Sequence, residues 1–372
     1  MRPGCSGPRA GSACARQPTV VKREFQEPET LAQLDEFDEV VDVRSPAEFR
    51  EDHIPGAVNL PVLGDAERER VGTLYKQASP FEAKKVGAAL ISRNIAAHIE
   101  TCLRDRPRAW RPLVYCWRGG TRSGAMAHIL REIGWRAGRL AGGYKAYRRQ
   151  VIAELQALPA RFRWRVICGP TGAGKTRLLA ALDRQGAQAL DLERLAAHRG
   201  SVLGGLPDAP QPPQKLFESE LWNTLRRLDP ERPVYVEAES KRIGRLHLPD
   251  ALVQAMWASP CVALETPTEV RVALLKAEYT HLLEDREALF ARLECLTALH
   301  GRGVVDAWKA LADAHAWDAF VARLLEEHYD PAYRRSTGEH YPQLDRAVRV
   351  RLDGADDASL DRVAREVLAT AR

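Results

Sequence analysis

Residues 165–182 read RVICGPTGAGKTRLLAAL, and this stretch decides the fold of the second half of the chain. Residues 166–168 form a short apolar run typical of a buried strand, and RLLAAL begins a helical pattern. Between them, residues 169–176 satisfy G-x-x-x-x-G-K-[ST], in which glycines let backbone N–H groups wrap a phosphate chain. The spacing therefore predicts a phosphate-binding turn that joins a parallel strand to a helix.

The side chains of this Walker A motif have separate tasks. Lys175 is expected to reach the terminal phosphate oxygens, and the Thr176 hydroxyl is expected to hold Mg²⁺. The predicted phosphate-binding residues are Gly169, Thr171, Gly172, Gly174, Lys175 and Thr176.

Acidic residues at two strand ends are candidates for a carboxylate that holds such a metal through a water. PVYVEAES (233–240) ends a strand pattern at Glu237 and Glu239, and QALDLE (188–193) ends one at Asp191. Glu237 is favoured because its strand is more continuous, but Asp191 stays open. The segments after these strands should emerge at the carboxyl edge of the sheet, where ligands bind. The further candidates there are His198, Arg199, Ser201, Arg242 and Arg245.

The first half of the chain carries a candidate nucleophile, Cys116, in VYCWRGGTRSG (114–124). If a helix opens at Ser123, the preceding loop wraps its backbone N–H groups around the sulfur at the positive end of that helix. These groups and the arginine charges should lower the thiol pKa and favour the reactive thiolate. The predicted anion-binding loop consists of Arg118, Gly119, Gly120, Arg122 and Ser123. The helix after it has apolar residues at Ala125, Ile129 and Ile133.

Length and pattern predict two α/β domains. The chain has 372 residues, and strand and helix patterns alternate on both sides of residues 150–162. We expect a disordered basic leader over 1–16, a first domain over 17–150, a linker over 151–162, and a phosphate-loop domain over 163–372. The latter should be mainly helical from about residue 267.

Composition excludes several classes of protein. No apolar stretch approaches the roughly 18–20 residues of a membrane span, so no membrane partner is expected. The seven cysteines are widely spaced without a C-x-x-C pair, which argues against a disulfide framework or a dedicated metal site and favours the cytoplasm. A net charge of +5 permits a polyanionic partner. For the oligomeric state, we expect a monomer.

Four segments of the first half resemble the successive signatures of rhodanese domains. They are DVRSPAEF (42–49), HIPGA (53–57), YCWRGGTRS (115–123) and GWRAGRLAGGYKAY (134–147). This resemblance implies that Cys116 carries a transferable chalcogen. The interval from Cys116 to Arg122 is one residue longer than in the common single-domain sulfurtransferases, so the cradle is expected to be wider.

The two halves together resemble the tRNA 2-selenouridine synthase family. The resemblance covers about residues 17–350 and includes VGTLYKQ (71–77), DLERLAAHRGS (191–201), VEAESKRIGR (236–245) and HYDPAYRRS (328–336). It implies that 2-thiouridine in a tRNA anticodon is S-geranylated from geranyl diphosphate and then converted to 2-selenouridine with selenophosphate, which a separate enzyme would supply. Cys116 matches the family cysteine proposed to carry selenium, and Gly169, Gly174, Lys175 and Thr176 match its phosphate loop.

Two other functions remain open from the sequence. The chain could be a sulfurtransferase coupled to an ATP-dependent kinase or ATPase domain, which the longer cysteine loop argues against. It could also be a non-catalytic tRNA-binding adaptor, which the retained Cys116, Lys175 and Thr176 argue against.

Overall fold

The computed structural model describes residues 28–201, 203–206 and 209–370. The predicted leader, residues 1–16, lies outside this range. Within it, the chain forms two parallel sheets flanked by helices, followed by a mainly helical region. The predicted α/β fold class is therefore confirmed.

The first sheet has four parallel strands in the order β2-β1-β3-β4. A 3-10 turn at Leu31–Glu36 precedes it. The strands are β1 (Glu39–Asp42), β2 (Val58–Asn59), β3 (Pro112–Tyr115) and β4 (Gly138–Arg139). Its helices are α1 (Pro46–Glu51), α2 (Asp65–Gln77), α3 (Pro80–Thr101), α4 (Thr121–Ile133) and α5 (Gly143–Ala157).

Local sequence explains how this half begins. Ser45 caps α1, and the Glu48 carboxylate accepts a hydrogen bond from the Ser45 backbone N–H at 3.1 Å. Pro46 occupies the first helical position, where its fixed φ suits the helix and its missing N–H costs nothing. The chain thus turns from β1 into α1 within four residues, as the pattern indicates.

Helix α4 begins at Thr121, two residues before the predicted start at Ser123. Its buried residues are Ser123, Met126, Ala127 and Leu130. Ile133, predicted to be on the apolar face, is 49% exposed, so that assignment is wrong. The buried positions of α4 follow the spacing 123, 126, 127 and 130, and Ile133, at the end of the helix, is not among them.

The second sheet has five parallel strands in the order β11-β10-β5-β7-β6. They are β5 (Arg163–Cys168), β6 (Gln188–Leu190), β7 (Pro233–Glu237), β10 (Cys261–Glu265) and β11 (Val348–Arg351). A separate antiparallel hairpin consists of β8 (Arg242–Ile243) and β9 (Leu246–His247). The helices around this sheet are α6 (Lys175–Arg184), α7 (Leu192–Leu195), α8 (Gln214–Leu225), α9 (Asp250–Trp257) and α17 (Asp357–Thr370).

Between β10 and β11 lies a helical region with its own core around Trp308 and Phe320. Its helices are α10 (Thr268–Glu278), α11 (Thr280–Glu284), α12 (Arg286–Glu294), α13 (Thr297–His300), α14 (Arg302–Asp313), α15 (Trp317–Leu324) and α16 (Asp330–His340). A π-helical turn at Leu325–Tyr329 joins the last two, and a 3-10 turn at Pro342–Arg346 follows. The stretch from 267 onward is thus mainly helical, but β11 returns to the sheet.

One of the hydrophobic clusters is common to the two sheets. Helix α5 and a 3-10 turn at Leu158–Arg161 fill the predicted linker, residues 151–162, and bury Val151 and Leu155. Tyr147 of α5 packs edge-on against Trp222 of α8, with ring centroids 5.5 Å apart. One continuous cluster of buried side chains therefore contains residues of both halves.

A buried carboxylate, Asp52, joins the halves by polar contacts. Its Oδ1 accepts a hydrogen bond from the Ser219 hydroxyl of α8 at 2.7 Å, and its Oδ2 accepts one from the Tyr144 hydroxyl at 2.8 Å. Arg148 lies 3.8 Å from the same carboxylate and also pairs with Glu218 of α8. Burial raises the pKa of Asp52, although these three partners oppose the shift.

Candidate functional site

The phosphate loop lies between β5 and α6, where the sequence predicts it. Gly172 and Gly174 have φ of +76° and +90°, conformations that glycine adopts without strain. The Lys175 ammonium donates a hydrogen bond to the Gly169 carbonyl at 2.9 Å. Because α6 begins at Lys175, the loop presents the positive end of this helix to a phosphate.

A buried arginine, Arg271 of α10, supports the loop from behind. Its guanidinium donates hydrogen bonds of 2.8 and 3.0 Å to the Thr171 carbonyl. It also forms a bidentate ion pair with Asp330, at 2.6 and 3.0 Å. Sequence reasoning missed this residue, since an arginine in an amphipathic helix carries no distinguishing local signal.

The carboxylate that contacts the loop is Glu193, which was not among the candidates. The Thr176 hydroxyl donates a hydrogen bond to its Oε2 at 3.0 Å. Asp191 instead caps α7, accepting from the Arg194 N–H at 2.8 Å. Glu237 is fully buried and accepts from the N–H groups of Leu192 and Glu193 at 2.7 and 3.1 Å. Glu237 thus fixes the start of α7, which carries Glu193 toward the loop.

The carboxyl groups of Glu193 and Glu239 interact with each other and with the charge of Lys175. Burial raises the pKa of Glu193, while the Lys175 charge and the Thr176 hydrogen bond oppose this. Burial and the neighbouring Glu193 raise the pKa of Glu239 to about 8, against the opposing charge of Lys175. The pair therefore holds a proton near neutral pH, which reduces its repulsion toward an anionic ligand.

A cavity of about 380 Å³ opens over the phosphate loop. It brings together eight predicted residues: Thr171, Gly172, Gly174, Lys175, Thr176, Arg199, Ser201 and Glu239. Other side chains of the wall come from the helical region, and they include Glu278, Tyr279, His328, Tyr329, Tyr333 and Tyr341. Arg199 lies over the Tyr279 ring, 5.1 Å from its centroid, and donates to the Glu278 carbonyl. The cavity is thus lined by cations, carboxylates and aromatic rings.

Several predicted residues do not line this cavity. Gly169 lies at its rear, where its carbonyl binds Lys175. Arg242 and Arg245 are exposed residues of the β8–β9 hairpin, and Arg245 donates to the Gln211 carbonyl. The His198 ring is half-buried, and burial together with Arg292 lowers its pKa.

The Cys116 thiol lies at the beginning of α4 and is 3% exposed. Its sulfur is 3.2 Å from the Ser123 hydroxyl. Burial opposes ionisation, but the Ser123 hydroxyl and N–H, the Arg122 charge and the Arg118 N–H together lower the thiol pKa. These contacts favour the thiolate, which is the nucleophilic form of a cysteine.

The loop after Cys116 is held closely against the start of α5. The Tyr144 N–H donates to the Cys116 carbonyl at 2.9 Å, and the Lys145 N–H donates to the Trp117 carbonyl at 3.0 Å. The Trp117 ring stacks on Tyr144, with centroids 5.2 Å apart. Tyr144 in turn binds Asp52, so the cysteine loop connects to the interface between the halves.

The two arginines of the loop have different surroundings. Arg122 is mostly buried and pairs with Glu48 at 2.7 Å, and this ion pair lowers the pKa of Glu48 against the effect of burial. Arg118 is exposed, and no ion pair holds it within the described residues. Gly119 and Gly120 lie between them at the mouth of the loop.

Across the described ranges, no group of three or more histidine, cysteine, aspartate or glutamate side chains is arranged to hold a metal ion. Nor is any described helix long and apolar enough to cross a membrane.

Two family models match successive parts of the chain. Residues 26–150 match the family model of the rhodanese-like domain, and residues 162–300 match that of the tRNA 2-selenouridine synthase AAA domain. Among solved structures, the BH2092 protein of Bacillus halodurans aligns with a TM-score of 0.21 and 18% identity, over 33% of this chain and 72% of its own, which is too low to carry an argument.

Curated relatives cover most of the chain. The tRNA 2-selenouridine synthase of Sulfurovum sp. is 35% identical over 79% of this chain and 87% of its own length. That of Hydrogenovibrio crunogenus is 34% identical over 82% and 92%, and that of Nitrosomonas europaea is 38% identical over 64% and 63%. With its rhodanese-like and AAA domains in this order, the chain belongs to the tRNA 2-selenouridine synthase family.

Proposed function

We propose that this chain is an enzyme that converts 2-thiouridine in tRNA to 2-selenouridine by way of S-geranyl-2-thiouridine. The observation that carries the proposal is the presence, in one chain with a shared hydrophobic cluster, of a cysteine whose surroundings lower its pKa and of a cavity over a Walker A loop. Membership of the family and the names of its curated relatives support the selenium chemistry and the tRNA substrate.

The first step is S-alkylation in the phosphate cavity. The sulfur of 2-thiouridine attacks C1 of geranyl diphosphate, the C–O bond breaks, and diphosphate leaves with the electron pair. Lys175 and the loop N–H groups stabilise the charge on the leaving diphosphate. The base loses its N3 proton to solvent water as the new S–C bond forms.

The residues beside the loop also fit a hydrated Mg²⁺. The Thr176 hydroxyl and the Glu193 carboxylate are hard oxygen donors, 3.0 Å apart at the mouth of the loop. These two residues would hold the ion together with diphosphate oxygens. When bound, Mg²⁺ neutralises charge on the leaving group.

The second step exchanges sulfur for selenium in the cysteine loop. Selenium from selenophosphate attacks C2 of the alkylated base, geranylthiolate leaves with the C–S electrons, and water cleaves the P–Se bond to release phosphate. Alkylation makes this possible because a thioether sulfur leaves more easily than a thiocarbonyl sulfur. We assign to Cys116 the binding of the selenium of the donor. Arg118 and the loop N–H groups bind the phosphate oxygens of selenophosphate.

The remaining parts of the proposal concern the setting of the enzyme. We propose that it acts as a cytoplasmic monomer on the wobble uridine of the tRNA anticodon. A separate enzyme would supply selenophosphate.

Mass spectrometry of tRNA nucleosides tests the two steps separately. Geranyl diphosphate and selenophosphate are supplied in turn to wild type, Cys116→Ala and Lys175→Ala. We expect Cys116→Ala to accumulate S-geranyl-2-thiouridine without 2-selenouridine, and Lys175→Ala to form neither. Wild-type levels of 2-selenouridine with Cys116→Ala would contradict the assignment. Rapid ATP turnover with thiosulfate as the only chalcogen donor would favour the sulfurtransferase–kinase alternative, and tRNA binding without any modified base would favour the adaptor.

A further inference from the structure

A second, apolar cavity of about 40 Å³ opens beside the phosphate loop. It lies between helices α10, α11, α12 and α15. Thr171, Leu275 and Tyr279 line both this cavity and the phosphate cavity. Leu275 packs directly on the loop, because a Cβ placed on Gly172 would lie 2.7 Å from the Leu275 Cδ1. The apolar cavity is therefore continuous with the phosphate site.

The inner wall of this cavity is aliphatic and aromatic. Leu282, Leu289, Phe320 and Leu324 line it, and each is at most 4% exposed. Polar groups occur at its mouth, where the Ser201 and Tyr279 hydroxyls lie 3.2 Å apart and satisfy each other. A nucleobase would leave its polar edges unpaired against such walls, at a considerable cost. An unbranched or methyl-branched hydrocarbon chain has no such cost.

Lys276 is a charged residue that lines this cavity, but the cavity remains apolar. Its ammonium lies 2.5 Å from the Asp318 carboxylate, so this charge is neutralised by a neighbour on α15. A ligand that spans both cavities would therefore need an anionic phosphate head and an apolar tail.

We infer that the apolar cavity binds the distal isoprene unit of the prenyl diphosphate and sets the length of chain accepted, an inference that rests on the proposed function. The proximal unit lies along the shared wall of Leu275 and Tyr279, and the diphosphate lies on the loop. One water requires about 10–15 Å³ of such space, so 40 Å³ corresponds to about three waters, or roughly one five-carbon unit. Geranyl, with two isoprene units, fits this arrangement, whereas the third unit of farnesyl meets the inner wall.

Two substitutions at the inner wall test this assignment in opposite directions. Phe320→Ala enlarges the cavity, and Val321→Phe fills it. Leu293→Ala serves as the matched control, because Leu293 is fully buried in the same helical core but does not line the cavity. Each full-length protein is assayed with 2-thiouridine-containing tRNA for kcat/KM with geranyl and with farnesyl diphosphate. Binding of inorganic diphosphate and the thermal midpoint show whether each variant is folded with an intact loop.

For Phe320→Ala we expect the ratio of farnesyl to geranyl kcat/KM to rise at least about tenfold, the range typical of a changed apolar pocket. For Val321→Phe we expect geranyl kcat/KM to fall at least about tenfold, with inorganic diphosphate binding unchanged. Leu293→Ala should lower the thermal midpoint and leave the ratio unchanged. If wild type geranylates and the ratio is the same in all four proteins, the chain-length assignment is overturned alone. If wild type alkylates with neither diphosphate, the proposed function is overturned and this assignment with it.

Discussion

Replacing Gly119 by alanine should disrupt the cysteine loop, whereas the same change at Gly120 should be tolerated. Gly119 has φ of +65°, and a Cβ there would lie 2.6 Å from the Leu140 carbonyl oxygen and 3.2 Å from the Gly142 nitrogen. Both are backbone atoms, so no flexible side chain can move aside. At Gly120, φ is −97° and no heavy atom lies within 4 Å of an added Cβ. The two neighbouring glycines thus form a matched pair.

The cost at Gly119 has two sources. An alanine in the left-handed region costs about 1 kcal/mol, and relieving the contact with Leu140 by distorting the backbone costs about 2 kcal/mol more. A total of about 3 kcal/mol corresponds to a change of roughly a hundredfold in the folding equilibrium. Because the displaced loop carries Cys116 and is remote from the phosphate loop in sequence and sheet, selenation should be lost before geranylation.

Urea denaturation followed by tryptophan fluorescence measures this cost, and nucleoside mass spectrometry measures the two reactions. We expect Gly119→Ala to lose about 3 kcal/mol of unfolding free energy, and Gly120→Ala to stay close to wild type. Equal stabilities for the two variants would refute the reasoning, as would full selenation by Gly119→Ala.

Two further predictions concern the thiol and the interface. Ser123→Ala removes a hydrogen bond that lowers the pKa of Cys116, so the rate of Cys116 alkylation by iodoacetamide should reach its plateau at higher pH than in wild type; an unchanged profile would show that Ser123 does not tune this thiol. Ser219→Ala removes a hydrogen bond to buried Asp52 and should cost about 2 kcal/mol of unfolding free energy, whereas Thr224→Ala on the same helix should cost far less. Because burial raises the pKa of Asp52 in the folded chain, stability contributed by its protonated form is present at low pH and is lost as pH rises through that folded pKa. Loss of Ser219 should extend this decline to higher pH, and a parallel pH profile in urea denaturation would contradict it.

The sequence predicts those parts of the fold and site that depend on local pattern. The loop at 169–176 and the cysteine loop at 116–122 are continuous segments, in which glycine, charge and flanking strand occur together. Strand β11 could not be predicted in this way, because VRVR is short, charged and far in sequence from its partner β10. Seven helices separate β10 from β11 in sequence, and no local pattern indicates that the chain comes back to the sheet after them.

Residues that act through tertiary contacts could not be predicted. Glu193 reaches Thr176 because Glu237 holds the start of α7, and Arg271 reaches Thr171 because α10 packs beside the loop. QALDLE contains Glu193, but the end of the strand pattern indicates Asp191. The Asp191 carboxylate instead accepts a hydrogen bond from the Arg194 N–H of α7. Only the three-dimensional arrangement distinguishes these carboxylates.

The packing of α5 against α8 limits how a tRNA would pass through the two proposed reactions. Since Tyr147, Trp222 and the Asp52 contacts fix one half against the other, the distance between the phosphate loop and the cysteine loop is fixed as well. On the proposed function, the anticodon then moves from one site to the other between the two reactions, and we expect the alkylated intermediate to be able to dissociate at this step. A chain cut between its halves would expose apolar side chains that the shared cluster buries, so we expect the two proposed reactions to require one intact chain.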